Sequence, residues 1–320
     1  ASGTAVVGSS NKNAIINGNF DIWQRGISFT FNNTNGYTSD RWFVTPGSGG
    51  TITVSRQAFT LGQTDVPNEP AYYLRIARTV AGSSQCYPYQ KVESVRTLTG
   101  KTATLSFYAK ADQALICTPY FEQTFGTGGS PSAQVNTSGS NVTLSTSWQR
   151  FTQTFNFPSI SGKTLGTNNN DNLNLNLLLP TAGTYTVDIA QVQLEEGSSF
   201  TSFEYRTIGQ EIALCQRYYE KSYNQSAALD SSDSGDTFFV STGAANYRFT
   251  ETFKVSKRDG PTMSIYNASL AGGTTIRNYT AVSSVAYTVG VTTERLFNIS
   301  PSSPVNENLY AFHWTADAEL

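Results

Sequence analysis

The chain has very little of what most catalytic and nucleic-acid-binding proteins depend on. Its 320 residues include one histidine, His313, and three cysteines, which leaves Ser-His, Cys-His and multi-histidine metal chemistry almost without material. Cys86, Cys117 and Cys215 are far apart, odd in number and not at metal-ligand spacing. They read as reduced, buried thiols and not as a disulfide framework. Charge is scarce as well: Asp, Glu, Lys and Arg make up 14% of the chain, and the formal net charge is -2. Without a basic face there is nothing to meet a phosphate backbone, so no nucleic acid partner is expected. No run of about twenty apolar residues could cross a membrane as a helix, and the first residues show neither the basic nor the apolar part of a secretion signal. Synthesis in a cytosol is the expectation.

What the chain does have is uncharged polarity, in Thr, Ser, Asn and Gly, together with forty aromatic residues. These are arranged with a period of two. Residues 51–56, 73–79, 87–92 and 102–110 alternate, 116–125 and 148–157 follow as further strands, and turn chemistry recurs between them, the pattern of a β-sandwich. Leu173, Leu175, Leu177 and Leu179 alternate with asparagine until Pro180 stops them. Over 185–194 the apolar set slips from Tyr185, Val187 and Ile189 to Ala190, Val192 and Leu194, which predicts a β-bulge. No repeat of 20–50 residues is present, so a solenoid is excluded. The economical solution is an all-β chain with a jelly roll over 14–205, preceded by a mobile or partner-bound arm over 1–13. In YTSDRWF (37–43), Asp40 and Arg41 stand among aromatics and are expected to form an internal ion pair.

One stretch breaks the β pattern. Thr207 can cap a helix, with Gln210 completing a capping box. Ile208, Ile212, Cys215 and Tyr219 then follow on one stripe. A helix over 207–222 is about 22 Å long and too short to stand alone in water. Either it lies on its own chain's sheet, or it meets copies of itself at a symmetry axis. The remainder, 224–320, reads as short strands of a smaller β domain whose core is thin for its length.

Two sets of segments carry a family resemblance. INGNFDIWQRG (16–26), YTSDRWF, and VDIAQVQLEEGSSFTSFEYR (187–206) resemble the first and last strands of carbohydrate-binding-module-like jelly rolls carried by bacteriophage tail proteins. ALCQRYYEKSY (213–223), FKVSKRDGPTMSIYN (253–267) and FHWTADAEL (312–320) resemble the C-terminal half of phage tail fibre proteins. The resemblance implies a non-enzymatic, homotrimeric receptor-binding protein of the virion tail, joined to other tail or baseplate proteins and contacting bacterial surface glycan. It makes Ile208, Ile212, Cys215 and Tyr219 the expected trimer seam. Jelly rolls of this kind often hold one structural calcium, for which Asn19, Asp21 and Asp188 are weak oxygen-ligand candidates; no cofactor is expected.

Sugar recognition on sandwiches uses aromatic faces flanked by amides and carboxylates. Trp23, Tyr37, Tyr87, Tyr89 and Trp148 are candidates in the first domain and Trp314 in the distal one; Tyr87 and Tyr89 flank Pro88 and so point to an edge. Distal loops around 271–278 and 300–308 are an alternative receptor tip. The enzymatic alternative, a polysaccharide depolymerase, needs two facing carboxylates. Glu69, Glu93, Glu122 and Glu251 are available, without a recognisable constellation.

Overall fold

The computed structural model describes residues 12–231, 237–242, 248–269 and 275–320. Most of the expected N-terminal arm thus lies outside the described residues. Its last two positions are held: the Asn13 amide donates to Glu204 Oε2 at 2.8 Å, and Lys12 Nζ donates to the Ser202 carbonyl at 2.9 Å.

The chain forms two compact units. The first contains residues 12–21, 28–38 and 42–206; the second contains 22–27, 39–41 and 207–320. In the first unit the strands are β1 (Ser28–Asn32), β2 (Gly36–Tyr37), β3 (Phe43–Thr45), β4 (Thr51–Ala58), β5 (Tyr72–Val80), β6 (Tyr87–Glu93) and β7 (Thr102–Ala111). They continue with β8 (Leu115–Thr124), β9 (Val135–Ser138), β10 (Val142–Leu144), β11 (Gln149–Asn156), β12 (Asn172–Leu178) and β13 (Tyr185–Glu196). A back sheet runs β1-β4-β5-β13-β7-β11, and a front sheet runs β10-β8-β12-β6-β3-β2 with β9 also on β8. This is the expected jelly-roll sandwich.

Alternation decides which residues lie between the sheets. Ile52, Val54, Leu74, Ile76, Leu105, Val187 and Ile189 enter from the back sheet, and Val44, Phe121, Leu173, Leu175 and Leu177 from the front; all are buried. Phe121 meets Phe155 edge to face at 4.7 Å and Phe157 at 5.0 Å, the geometry aromatic quadrupoles prefer. The predicted bulge is present. The β13–β7 register shifts between Ala190 and Gln193, where Gln191 has φ 49°.

Residues 14–18, at the start of the expected jelly roll, make bends and turns and no strand. They still hydrogen-bond to β13 beyond the bulge, Ala14 to the Leu194 carbonyl at 2.9 Å and Val192 to the Gly18 carbonyl at 2.8 Å. The Gln90 side chain supplies the other edge, accepting from Ile16 N and donating to Ile16 O, both at 2.8 Å. A side-chain amide thus takes the place of a strand partner. Gly18 is required by this close approach, because a Cβ there would sit 2.1 Å from the Val192 carbonyl oxygen.

The second unit contains a single helix among its described residues, α1 (Ile208–Gln216). The capping box forms as predicted: Thr207 Oγ1 accepts from Gln210 N, and Gln210 Oε1 accepts from Thr207 N at 3.0 Å. The predicted extension to residue 222 is not observed. After one further turn the chain becomes β14 (Tyr219–Lys221), paired with β22 (Leu309–Asp317). The reason lies in how the carbonyls at the helix end are satisfied. Lys257 Nζ binds the Gln216 carbonyl at 2.6 Å and Arg258 N binds that of Arg217 at 2.9 Å. Tertiary donors replace the next helical turn.

The other strands are β15 (Thr237–Val240), β16 (Phe249–Thr252), β17 (Thr262–Asn267), β18 (Ile276–Asn278), β19 (Ser283–Val285), β20 (Tyr287–Thr292) and β21 (Leu296–Pro301). β22 is the hub, pairing with β14, β15, β17 and β18, while β16-β21-β20 form a separate sheet. Phe253, Phe297, Phe312 and Trp314 are among the side chains that fill the core.

The N-terminal pieces explain the YTSDRWF motif differently from expectation. Asp40 and Arg41 sit in a turn, where Arg41 has φ 71°, and each takes a different partner. Asp40 pairs with Arg25 at 3.4 Å, while Arg41 binds Glu319 and lies 3.4 Å over the Tyr218 ring. Burial raises the Asp40 pKa above the usual aspartate value, and Arg25 opposes it.

Lys257 pairs with Glu220 in this unit, and both side chains are fully buried. Removing one partner of such a pair strands the other charge. Lys257→Met is expected to destabilise the chain by about 3–5 kcal/mol, and adding Glu220→Gln to recover part of that loss. Urea unfolding of the single and double variants checks it.

Candidate functional site

The outward side of the front sheet is built by the same alternation that fills the core. Because Leu173, Leu175 and Leu177 point inward, Asn172, Asn174 and Asn176 of β12 point outward. All three are nevertheless buried, at 3%, 6% and 2% exposure. They lie between the longer outward side chains of β8 and β6, and we read the trough between those side chains as a cleft. The register places six residues in one row across the sheet: Tyr37, Phe43, Tyr89, Asn176, Tyr120 and Ser138. Five strand spacings make that row about 24 Å long. A second row beside it contains Lys91, Asn174, Glu122 and Asn136.

One wall is aromatic and continuous. Tyr37 meets Phe43 edge to face at 5.0 Å, Phe43 meets Tyr89 at 4.9 Å, and Tyr89 meets Tyr87 at 5.9 Å. All four rings are half-buried, so each keeps some surface in solvent. The opposite wall is polar. Glu122 accepts from the Tyr120 hydroxyl, from Asn174 Nδ2 at 2.8 Å and from Gln134 Nε2 at 3.3 Å. Asn174 Nδ2 also reaches Asn176 Oδ1 at 3.2 Å.

The floor is left incomplete. Asn172 Oδ1, Asn174 Oδ1 and Asn176 Nδ2 are buried and have no hydrogen-bond partner within the protein. Leaving buried polar atoms unmade costs about 1–3 kcal/mol each, so such a row needs a partner from outside the chain, a water or a ligand hydroxyl. Two acceptors and one donor are what a polyhydroxylated ligand satisfies, since each hydroxyl both gives and accepts.

Of the predicted aromatic residues, the fold brings Tyr37, Tyr87 and Tyr89 together. Trp23 and Trp314 are corrected: at 5% and 2% exposure they have no face to offer a sugar. Trp314 belongs to the distal core, 5.4 Å from Phe297 and 5.5 Å from Phe253. Trp148 lies on the back sheet. The distal loop over 271–278 falls partly outside the described residues.

Two other expectations change as well. Of the weak calcium candidates, Asp188 has both its oxygens held by Arg75, at 2.7 and 2.8 Å. Asn19 and Asp21 bond to each other at 2.9 Å. Among the described residues, no group of three His, Cys, Asp or Glu is placed to hold a metal. On the expected trimer seam, Cys215 and Tyr219 are buried within their own chain, and Arg25 lies 3.6 Å over the Tyr219 ring. Only Ile208, at 57% exposure, and the half-buried Ile212 remain available. The helix turns into a strand before the stripe is complete.

Sequence reasoning missed Phe43, Lys91, Tyr120, Asn174 and Asn176 as site residues. The signal for the floor was there in the Leu-Asn alternation, whose polar half has to face somewhere.

No protein-family model matches the chain, and no curated protein matches it. Solved structures similar to it include a CBM4 structure, 20% identical, covering 57% of this chain and 98% of that one with a TM-score of 0.36. Another is the N-terminal cellulose-binding domain of Cellulomonas fimi β-1,4-glucanase C, 15% identical over 50% of this chain and 90% of that one, TM-score 0.33. A third is the enzymatically active domain of bacteriophage CBA120 tailspike protein 4, 11% identical over 58% of this chain and 22% of that one, TM-score 0.36. At these scores none of the likenesses bears on the chemistry of the cleft.

The cleft tyrosines are held in their neutral form. Burial, then Tyr87 and Glu122, push the Tyr89 phenol up to about 12. Burial, then the hydrogen bond to Glu122, raise Tyr120. A folded pKa above the unfolded value of 10.0 means that this stability is intact below pH 10 and is lost as pH rises through about 12. Thermal unfolding is expected to be insensitive to the cleft phenols up to pH 10 and to fall beyond it. Absorbance titration at 295 nm should show one fewer late-ionising phenol in Tyr89→Phe.

Proposed function

We propose that this chain is a glycan-binding attachment protein, with the front-sheet cleft as the sugar site. One observation carries the reading: a row of buried, unpartnered asparagine atoms lies at the foot of a continuous wall of half-exposed aromatic rings. Apolar sugar faces pack on the rings of Tyr37, Phe43, Tyr89 and Tyr87, and hydroxyls complete Asn174, Asn176 and Glu122. The length of the row suits an extended polysaccharide strand better than a single ring.

The likeness of the N-terminal, central and C-terminal segments to phage tail fibre proteins supports placing this activity in a virion tail, where it attaches the particle to a bacterial surface. A homotrimer fits the same reading, since three weak sites bind with an avidity orders of magnitude above one. Ile208 and Ile212 are the helical residues that such an assembly would cover. Ile208→Asp is expected to shift the light-scattering mass from trimer to monomer; a wild-type chain that is monomeric when concentrated overturns the assembly.

The test of the site is a binding isotherm on purified surface polysaccharides of a bacterial panel, capsule-deficient strains included. Tyr89→Ala and Asn176→Ala are each expected to weaken binding about tenfold or more, equivalent to about 1.4 kcal/mol, with melting temperatures changed by only a few degrees. Equal binding by wild type and both variants overturns the cleft. A second reading, hydrolysis, is favoured by Glu93 and Glu122, which face outward from the strands on either side of β12. We expect no new reducing ends from bound polysaccharide; their release, abolished in Glu122→Gln, would establish the enzyme instead.

A further inference from the structure

The outward side of the back sheet carries a second constellation. Alternation points Tyr73 and Arg75 of β5, Asp188 of β13 and Lys110 of β7 away from the core. Asp188 lies opposite both Arg75 and Lys110 in the register. Phe59, Tyr73 and Trp148 form a platform beside them, with ring centroids 4.7, 5.3 and 5.3 Å apart. Lys110 joins the two groups: its ammonium is 5.3 Å over the Trp148 ring and 3.8 Å from Asp188 Oδ2. At 3.8 Å that contact is an ion pair without a hydrogen bond, so the ammonium protons stay available to a ligand.

A cavity of about 190 Å³ opens here, lined by Arg75, Lys110, Asp112, Thr146, Thr186 and Asp188. Its charges cancel, two cations against two carboxylates. An anion entering it meets Asp112 and Asp188, and a cation meets Arg75 and Lys110. A neutral ligand rich in hydroxyls meets neither penalty: it donates to the carboxylates and accepts from Lys110 and the threonine hydroxyls. The Arg75–Asp188 pair is fixed by two hydrogen bonds before anything binds, so little ordering remains to be done. The volume lies below the roughly 300–1,000 Å³ of pockets for drug-sized ligands and suits one ring.

We propose that this cavity is a second sugar site, specific for a single neutral pyranose and facing away from the cleft. One sandwich would then hold a polysaccharide strand on its front sheet and a terminal or branching sugar on its back. The assignment does not rest on the cleft being a glycan site, and the two are separable by experiment.

The protein contains its own reporter. Of its four tryptophans, Trp23, Trp42 and Trp314 are at most 5% exposed, whereas Trp148 is half-buried. Emission quenched by acrylamide therefore comes from Trp148. The full chain is titrated with glucose, galactose, mannose, rhamnose and N-acetylglucosamine, with glucuronate as the anionic control. Saturation-transfer NMR on the same samples is the second readout. At least one neutral sugar is expected to lower the quenching constant about twofold, with a dissociation constant on the order of millimolar, and glucuronate is not. Lys110→Met and Thr146→Val should lose both signals while polysaccharide binding in the cleft persists; Tyr89→Ala should keep them. The site is overturned if no neutral sugar gives either signal at about 100-fold that concentration, if glucuronate binds best, or if Lys110→Met binds as wild type does.

Discussion

A strand cannot send consecutive side chains to the same side, and β12 shows what this constraint does for the whole sandwich. Leu173, Leu175 and Leu177 enter the core at 0% exposure, so its asparagines are driven to the outer face whether or not that face can satisfy them. β12 sits between β8 and β6, and their bulkier outward residues shield the amides from solvent. Buried polar atoms on an outer face are the direct result. Moving the pairing by one residue would put asparagine in the core and leucine on the surface, so the hydrophobic core and the cleft floor depend on a single register.

The two outer faces differ in what surrounds their polar groups. On the front sheet, Glu122 is engaged by neutral donors and the row of asparagines is left with open atoms, a long arrangement with spare hydrogen-bonding capacity. On the back sheet, Arg75 holds Asp188 in place and charges of both signs line a small cavity. Both serve ligands that donate and accept at once. They differ in extent, a groove against a pocket, and extent follows from how many strands contribute outward-facing polar residues in register.

The second unit shows residues that resemble a site serving the fold. Arg25, Asp40, Arg41, Asp317 and Glu319 form ion pairs among themselves, and two of these cations cover the Tyr218 and Tyr219 rings. Aromatics beside charges are also what a glycan site is made of. Burial separates the cases: Asp40 and Arg41 are at 0% and 1% exposure, whereas the cleft rings keep open surface. Composition alone cannot make that distinction, which is why Trp23 and Trp314 were plausible candidates until their surroundings were known.

The amino-acid sequence by itself determined the β character, the positions of the longer strands from β4 onward, the bulge in β13 and the capped start of α1, because each depends on residues within a few positions of one another. The order of strands, and with it the row from Tyr37 to Ser138, came only from tertiary pairing between segments up to about a hundred residues apart. The end of α1 belonged to the same class: Lys257 and Arg258, some forty positions downstream, take its last carbonyls. Periodicity reports which side chains share a face, while only the assembled sheet decides which faces become neighbours and which of them remain open to a ligand.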